Sequence, residues 1–265
     1  MGKHFEFTGE TKINVFGVKL FQIRCTVAFR DVQVGDVGGW IEKESNVYGD
    51  AWVSGDAEVY GNARVSGDAW VSGDARVSGN ARVYGDAWVS GDARVSGDAE
   101  VSGDARVSGN ARVYGDARVS GDARVSGNAR VYGDAWVSGD ARVSGDAEVY
   151  GNARVSGDAW VSGDAWVSGD AEVYGNARVY GDARVYGDAE VYGNADYCCF
   201  QGFGSEFRTT TVVRTRNKEL RIRCGCFFGT LDEFAARVEQ THGDNQHGKV
   251  YKAIIEVIKL RFAEK

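Results

Sequence analysis

Apolar and polar positions alternate along most of the chain with a strict period of six residues. Val recurs at every sixth position from Val47 to Val191, and Gly and Ala keep the same step, giving 25 hexapeptides of the form V-[SY]-G-[DN]-A-x. Within each unit, Ala-x-Val-x has the two-residue period of a β-strand, so Ala and Val face one side and the variable residues face the other. The following Gly-Asp or Gly-Asn pair tolerates the positive φ of a tight corner.

A repeat of this length predicts a parallel β-helix in which each hexapeptide forms one side of a coil. Three sides give a triangular coil of 18 residues, so the repeat makes a little over eight coils. With coils about 4.8 Å apart, the solenoid is roughly 40 Å long, and its narrow interior has room only for Val and Ala. Periodicity does not set the hand of the coil, and general crossover geometry favours a right-handed one.

The V-[SY]-G-[DN]-A-x units resemble the hexapeptide repeats of left-handed parallel β-helix proteins, and the resemblance implies a left-handed coil. It covers about 150 of the 265 residues. Four segments outside the repeat carry a second resemblance: GDVGGWIEKESNV, ADYCCFQGFGS, RTTTVVRT and CGCFFGTLDEFAARVEQTHGDN. They resemble an uncharacterised β-helix family associated with phages and prophages, which implies no established activity.

The sequence outside the repeat divides the chain into three predicted domains. Residues 1–46 read as an N-terminal β-hairpin cap, 47–196 as the β-helix and 197–265 as a C-terminal α+β capping domain. In the last domain we predict strands near 207–215 and 219–226 and helices near 230–241 and 248–263. Thr230 and Glu233 have the spacing of an N-terminal capping box. Since both solenoid ends are then covered, the sequence favours side-by-side assembly over open end-to-end fibres.

The exposed x positions form three columns with an 18-residue step, so equivalent side chains of neighbouring coils lie in register. One column combines Trp and Arg, which are enriched in interface hot spots, and runs beside a lane of Ser. We take it as the candidate interaction face: Trp52, Trp70, Trp88, Arg106, Arg124, Arg142 and Trp160. The stacked Arg side chains need nearby acids, which the Asp corners can supply. The alternative is that Trp, Arg and Glu are interchangeable coverings of a solenoid expanded by duplication.

Charge is distributed unevenly along a chain of net charge −7. The segment 47–196 has 13 Arg against 24 acidic residues, or −11, whereas 197–265 has 12 basic against 8 acidic residues, or +4. Without a uniformly basic surface we expect no nucleic-acid partner. The five Cys do not suggest a disulfide framework, and neither a signal h-region nor a long apolar run is evident. We therefore expect a cytoplasmic protein with no membrane partner.

The repeat lacks the residues that catalysis on this fold requires. Hexapeptide acyltransferases use a His base and the related carbonic anhydrases use three His ligands for zinc, but no His lies between His4 and His242. The Asp corners point outward from convex edges, where carboxylates do not converge on a cation. We therefore predict a non-enzymatic protein without a cofactor or metal, and an acyltransferase-like enzyme is the third and least favoured hypothesis.

The C-terminal domain offers the alternative function. Ser205, Arg208, Thr210 and Arg214 lie in a net-positive, hydroxyl-rich segment, and such groups suit a phosphate or other small anion. Strand alternation would put the two Arg and Thr210 on one side. The remaining possibilities are a solvated strand face, and a zinc site or nucleophile built from the Cys and His residues, whose spacing is unlike that of common zinc motifs. The sequence thus favours a self-associating structural or binding scaffold, with a small-anion or nucleotide binder that acts in phage–host conflict as the alternative.

Overall fold

The computed structural model describes residues 3–193, 195–215 and 217–263, and within them the chain is mainly β. It begins with β1 (Phe5–Ile13), β2 (Lys19–Cys25), β3 (Val37–Ile41) and a short 3₁₀ helix, Glu44–Asn46. β1 pairs with β2 and β2 with β3, both antiparallel. β3 then pairs parallel with the solenoid, so the N-terminal strands extend one solenoid sheet rather than forming a separate one.

The hexapeptides form a series of short strands, most of them two residues long. They are β4 (Trp52–Val53), β5 (Glu58–Val59), β6 (Arg64–Val65), β7 (Trp70–Val71), β8 (Arg76–Val77), β9 (Arg82–Val83), β10 (Trp88–Val89), β11 (Arg94–Val95), β12 (Glu100–Val101), β13 (Arg106–Val107), β14 (Arg112–Gly115), β15 (Arg118–Val119), β16 (Arg124–Val125), β17 (Arg130–Gly133), β18 (Trp136–Val137), β19 (Arg142–Val143), β20 (Glu148–Val149), β21 (Arg154–Val155), β22 (Trp160–Val161), β23 (Trp166–Val167), β24 (Glu172–Val173), β25 (Arg178–Val179), β26 (Arg184–Val185) and β27 (Glu190–Val191). The predicted four-residue strands were too long, because the chain enters the next corner soon after each Val. Hydrogen bonds between coils nevertheless flank each strand, as in Trp88 N to Ala105 O and Ser90 N to Val107 O, both 2.9 Å.

Each solenoid strand pairs parallel with the third strand after it, which lies 18 residues later, and this pairing confirms the triangular coil and its length. Trp70 lies beside Trp88, and Arg106 lies beside Arg124. Three parallel sheets result, ordered β4-β7-β10-β13-β16-β19-β22-β25, β6-β9-β12-β15-β18-β21-β24-β27, and β3-β5-β8-β11-β14-β17-β20-β23-β26. The left-handed sense of the coil and the exact domain boundaries stay predictions.

The solenoid core has the composition that the repeat predicts. From Ala51 to Val191 every Ala and Val of the repeat is fully buried. The corner Gly residues from Gly49 to Gly187 have φ between 64° and 74°, which is the left-handed region that glycine adopts without strain. A Cβ on Gly127 would lie only 2.9 Å from Gly145 N of the next coil. The corner therefore needs Gly for its backbone conformation and also for the close approach of neighbouring coils.

The N-terminal strands cover the first coil and bury side chains that were expected to be exposed. Trp52 is only 3% exposed because His4 and Phe29 pack against its ring, at centroid distances of 6.2 and 5.8 Å. Trp52 therefore belongs to the core beneath the cap, and its assignment to an exposed interaction face was wrong. Glu58 is likewise buried and is bound by Lys12 Nζ at 3.0 Å.

The C-terminal segment forms an antiparallel sheet packed by two helices. The sheet contains β28 (Tyr197–Phe203), β29 (Arg208–Arg214), β30 (Leu220–Cys224) and β31 (Phe227–Thr230), in chain order. The helices are α1 (Leu231–His242) and α2 (Gln246–Phe262). The capping box is confirmed, because Thr230 Oγ1 accepts from Glu233 N and Glu233 Oε2 accepts from Thr230 N. The sequence predicted β29, β30 and both helices but missed β28 and β31.

One face of β29 packs on the solenoid and the other on the helices. Thr211 Oγ1 accepts a hydrogen bond from Arg184 N at 3.3 Å, and Thr215 bridges to Ala189 in the last coil. On the opposite face, Val212 belongs to a separate apolar core with residues of α1 and α2. The domain therefore covers the last coil. Over the described part of the chain, no helix is long and apolar enough to cross a membrane.

Candidate functional site

The first solenoid sheet carries a continuous surface that we call the Trp/Arg face. Strand pairing places its side chains in register, one per coil. Its exposed or half-buried members, after the removal of Trp52, are Trp70, Trp88, Arg106, Arg124, Arg142 and Trp160. The three arginines thus form a block between two tryptophan-bearing segments.

The Ser column beside this face accepts hydrogen bonds from the indole rings. Trp88 Nε1 donates to Ser72 Oγ of the preceding coil at 3.1 Å, and Trp160 Nε1 donates to Ser144 Oγ at 3.1 Å. These bonds hold each ring across two coils while much of it stays open to solvent, with Trp88 45% and Trp160 40% exposed. Rings that are fixed in place yet exposed lose little conformational freedom when a partner covers them.

The arginine block lacks the acidic partners that several arginines elsewhere on the solenoid have. On the other faces, Arg130 Nη1 lies 3.0 Å from Glu148 Oε1 and Arg82 Nη1 lies 3.4 Å from Glu100 Oε1. Within the described residues, Arg106, Arg124 and Arg142 form no ion pair, although the Arg106 guanidinium lies over the Trp88 ring at 5.9 Å. The expectation that Asp corners neutralise these arginines within the chain is therefore not met.

The corner beside the Trp/Arg face is an uninterrupted column of carboxylates, which we call the Asp ladder. Its members are Asp50, Asp68, Asp86, Asp104, Asp122, Asp140 and Asp158. The other two columns contain Asn residues that bond to the next coil, such as Asn128 Nδ2 to Asp146 Oδ1 at 2.9 Å. The Asp ladder contains no Asn before Asn176, so neighbouring carboxylates repel and require cations from elsewhere.

One cation is already bound to this ladder. Arg30, from the loop between β2 and β3, places Nη2 2.7 Å from Asp68 Oδ2 and 2.9 Å from Asp86 Oδ1. Its Nη1 also donates to Asp68 O at 2.8 Å. A guanidinium therefore fits between two successive carboxylates of the ladder. Among the described residues, Asp104, Asp122 and Asp140 have no such partner.

A second exposed face carries a stack of tyrosines. Tyr114, Tyr132 and Tyr150 lie ring over ring, with successive centroids 4.9 and 5.0 Å apart. Tyr132 donates its hydroxyl to Glu148 Oε2 at 3.0 Å. Burial and this carboxylate raise the pKa of Tyr132 above its ordinary value. The Tyr132 hydroxyl is therefore satisfied within the chain.

The four predicted anion-binding residues do not converge. Arg214 Nε lies 3.7 Å from Asp196 Oδ1, and its guanidinium covers the Phe262 ring at 5.6 Å. Thr210 is fully buried in the middle of β29. Arg208 begins that strand, about 20 Å from Arg214 at the usual rise per residue, and Ser205 lies in the turn before it. A single site made of all four residues was therefore a wrong expectation.

Ser205 and Arg208 instead line a hollow of about 430 Å³ between the sheet and α1. Its apolar wall includes Phe203, Phe227 and Phe234, and Arg237 and His242 add cationic or polar groups. Tyr251 closes one side, where Cys224 Sγ lies 3.6 Å from its hydroxyl. Burial and this thiol raise the pKa of Tyr251 to about 12, so the hydroxyl stays protonated at neutral pH.

The cysteines do not form a metal centre in the described structure. No group of three or more His, Cys, Asp or Glu residues there could hold a metal ion. All five cysteines are free thiols. Burial raises the pKa of Cys198 to about 11 and also raises that of Cys199, so both are weak nucleophiles at neutral pH.

The fold and its surfaces define the chain as a parallel β-solenoid protein with both ends covered. The sequence matches the family model described as bactofilin, polymer-forming cytoskeletal, over residues 99–198. It also matches the YdcK β-solenoid repeat over residues 57–73 and 75–91. No curated protein matches the chain. The family matches agree with the solenoid, whereas the resemblances to the hexapeptide-repeat and phage-associated families stay predictions.

Proposed function

We propose that this protein is a non-enzymatic structural scaffold that associates with further copies of itself through the Trp/Arg face. The observation that carries the proposal is the position of the bactofilin match. Residues 99–198 include Arg106, Arg124, Arg142 and Trp160, so the likeness to a polymer-forming family falls on the coils that present this face. The same coils have Val and Ala cores with no interruption that could form a catalytic pocket.

Assembly side by side follows from the state of the solenoid ends. A bare solenoid exposes strand edges that stack on other chains. Here β1–β3 extend over the first coil, and the sheet β28–β31 packs on the last. The long lateral faces are therefore the surfaces on which several identical positions can contact a partner at once.

Sedimentation velocity of the wild-type protein over a range of concentrations tests the proposal. We expect particles larger than the 28.6 kDa monomer, with a fraction that rises with concentration. A competing end-to-end contact would use the exposed apolar turn after β1, where Val15 is 75% and Phe16 64% exposed. The variant Val15→Lys with Phe16→Lys should therefore leave assembly unchanged. A wild type that stays monomeric at every concentration would overturn the proposal.

Small-anion binding by the C-terminal domain is a second candidate, and the hollow favours it. Arg208 and Arg237 line it beside three phenylalanines, a combination that suits an anion with an aromatic or apolar body, such as a nucleotide. A ligand raises the melting temperature by binding the folded state. We expect Arg208→Gln to abolish the shift caused by an active member of a nucleotide panel, with Arg221→Gln as the control. No shift with any member would remove this candidate.

A further inference from the structure

Three consecutive coils carry the same pair of opposite charges side by side. Each contains Asp-Ala-Arg, so a carboxylate of the Asp ladder and an arginine of the Trp/Arg face lie two residues apart, about 7 Å along a strand. The pairs are Asp104 with Arg106, Asp122 with Arg124, and Asp140 with Arg142. All six side chains are exposed, and within the described residues none has an ion-pair partner.

A run of three such coils occurs on this side of the solenoid only, since the second face has at most two in succession, Asp74 with Arg76 and Asp92 with Arg94. On the second face Asn128 precedes Arg130, and Arg130 is bound by Glu148. On the third face Asn152 precedes Arg154, which is bound by Glu172. Several arginines of the other faces are thus paired with an acid within the chain, whereas among the described residues this side keeps three successive unpaired carboxylates parallel to three unpaired arginines.

We propose that a second copy of this chain lies on this surface, with its arginines on the Asp ladder of the first copy and its carboxylates on the arginines of the first. This inference rests on the proposed function, since it names the partner surface for self-association. Arg30 is an example of the contact that we expect between the copies, because its guanidinium already bridges Asp68 and Asp86 of the Asp ladder. A second copy matches the ladder in charge and also in spacing, because both columns repeat once per coil.

The two columns also select the orientation of the pair. If the two-fold axis runs parallel to the solenoid axis, the copies point in the same direction and each Asp column faces the partner's Arg column. If the axis runs across the solenoid, the copies are antiparallel and Asp faces Asp and Arg faces Arg, which is repulsive. The geometry therefore gives a parallel, closed dimer in which equivalent coils of the two copies lie at the same height along the solenoid axis.

Charge reversal tests the pairing. One triple variant carries Arg106→Glu, Arg124→Glu and Arg142→Glu, and the other carries Asp104→Arg, Asp122→Arg and Asp140→Arg. Each variant alone should lose association, at least about tenfold in the dimer dissociation constant, because its interface then carries one sign of charge. A 1:1 mixture should form heterodimers, because one variant is wholly negative and the other wholly positive there.

A matched control changes the net charge equally away from this surface. Arg94→Glu, Arg112→Glu and Arg118→Glu alter exposed arginines on the other two faces and should change the dissociation constant by no more than about twofold. Far-UV circular dichroism checks that each variant folds. If a reversed variant does not fold, the salt dependence of wild-type association still tests the charge pairing. The wild-type association constant should fall at least about tenfold between 0.1 and 1 M NaCl, because salt screens the charges.

The outcomes separate the inference from the function on which it rests. A monomeric wild type overturns both. If the wild type associates and both reversed variants associate equally well, the charge pairing is wrong but the scaffold proposal is not. The same holds if wild-type association does not depend on salt concentration.

The relative orientation of the two copies can be measured with the Arg142→Lys variant. A zero-length carbodiimide couples the introduced amine to a nearby carboxylate, and peptide mapping of the crosslinked dimer identifies that carboxylate. A link from the substituted position to the partner's Asp140 supports the parallel pair, whereas a link to the partner's Asp104 overturns it.

Discussion

The indole of Trp88 is fixed to the preceding coil by a hydrogen bond from its Nε1 to Ser72 Oγ, 3.1 Å long. The same bond recurs between Trp70 and Ser54 at 3.0 Å. In the Ser column beside the Trp/Arg face, a Ser therefore accepts an indole hydrogen bond when the next coil carries a Trp. It accepts none when the next coil carries an Arg. Each Trp is held in one orientation, which prepares the face for contact with a partner.

Replacement of Ser72 by Ala should lower the free energy of unfolding by about 0.5–1 kcal/mol, because Trp88 Nε1 loses its acceptor within the chain. Urea unfolding measures the change. Ser126→Ala is the matched control: Ser126 occupies the same column, but the residue on the next coil is Arg142, so no indole bond is lost. Equal effects of the two substitutions would show that the bond contributes nothing to stability.

Trp70→Ala combined with Trp88→Ala should weaken self-association by at least about tenfold, since large rigid aromatic side chains dominate contact energy in interfaces. Sedimentation velocity at several concentrations gives the association constant. Trp136→Ala is the control, because Trp136 is 42% exposed, close to the 45% of Trp88, and donates an equivalent bond to Ser120, but lies on the third face. If the double variant associates like the wild type, the Trp part of the face does not take part.

The interior of the solenoid could be predicted from the sequence because every coil solves the same packing problem. Val125 and Ala123 have equivalents in each coil, and a period of six fixes which side chains point inward. Trp52 has the same local sequence as Trp70, yet it is buried, because His4 and Phe29 arrive from a distant segment. Periodicity carries no information about such contacts.

The surface chemistry was predictable in part for the same reason. The Trp/Arg column followed from the 18-residue step, but the binding of Asp68 and Asp86 by Arg30 did not, because Arg30 lies in an irregular loop. In the C-terminal domain, alternation correctly placed Thr210 and Arg214 on one side of β29. It could not show that α1 and α2 cover that side.

Gly127→Ala should destabilise the solenoid more than Gly202→Ala does. Both glycines have positive φ, which costs an alanine about 1–2 kcal/mol. At Gly127 the new Cβ would also approach Gly145 N to 2.9 Å, whereas at Gly202 nothing lies within 4 Å. The difference between the urea midpoints isolates this steric part. Identical midpoints would show that neighbouring coils can separate at the corner without loss of stability.

Cysteine alkylation at pH 8 should modify Cys226 well before Cys198. Cys226 is exposed, whereas burial raises the pKa of Cys198 to about 11 and keeps the thiol protonated. Because the thiolate is the reactive form, the rate at Cys198 should rise as the pH approaches 11. Iodoacetamide labelling with peptide mapping measures both rates, and the unfolded protein, in which all five thiols react, is the control. Equal rates in the folded protein would contradict the burial of Cys198.

Lys12→Met should loosen the N-terminal cap, because it removes a cation from a carboxylate that the cap has buried. Glu58 is only 6% exposed, and Lys12 Nζ lies 3.0 Å from its Oε1. The remaining cation, Arg76, is farther away, with Nε 3.7 Å from Oε2. We expect a loss of about 1.5–3 kcal/mol in the free energy of unfolding, the usual size for a hydrogen bond to a charged group.

Lys19→Met tests whether this loss comes from Glu58. Lys19 is exposed on the neighbouring strand β2, and its Nζ lies 5.2 Å from the Phe21 ring centroid, so its removal leaves no buried charge unpaired. Its effect should stay within about 0.5 kcal/mol. The rate of amide hydrogen exchange in β1 and β2 should then rise in Lys12→Met alone, because the buried carboxylate holds these strands against the first coils. Faster exchange in both variants would mean that the cap is held by its hairpin charges in general and that Glu58 is not its anchor.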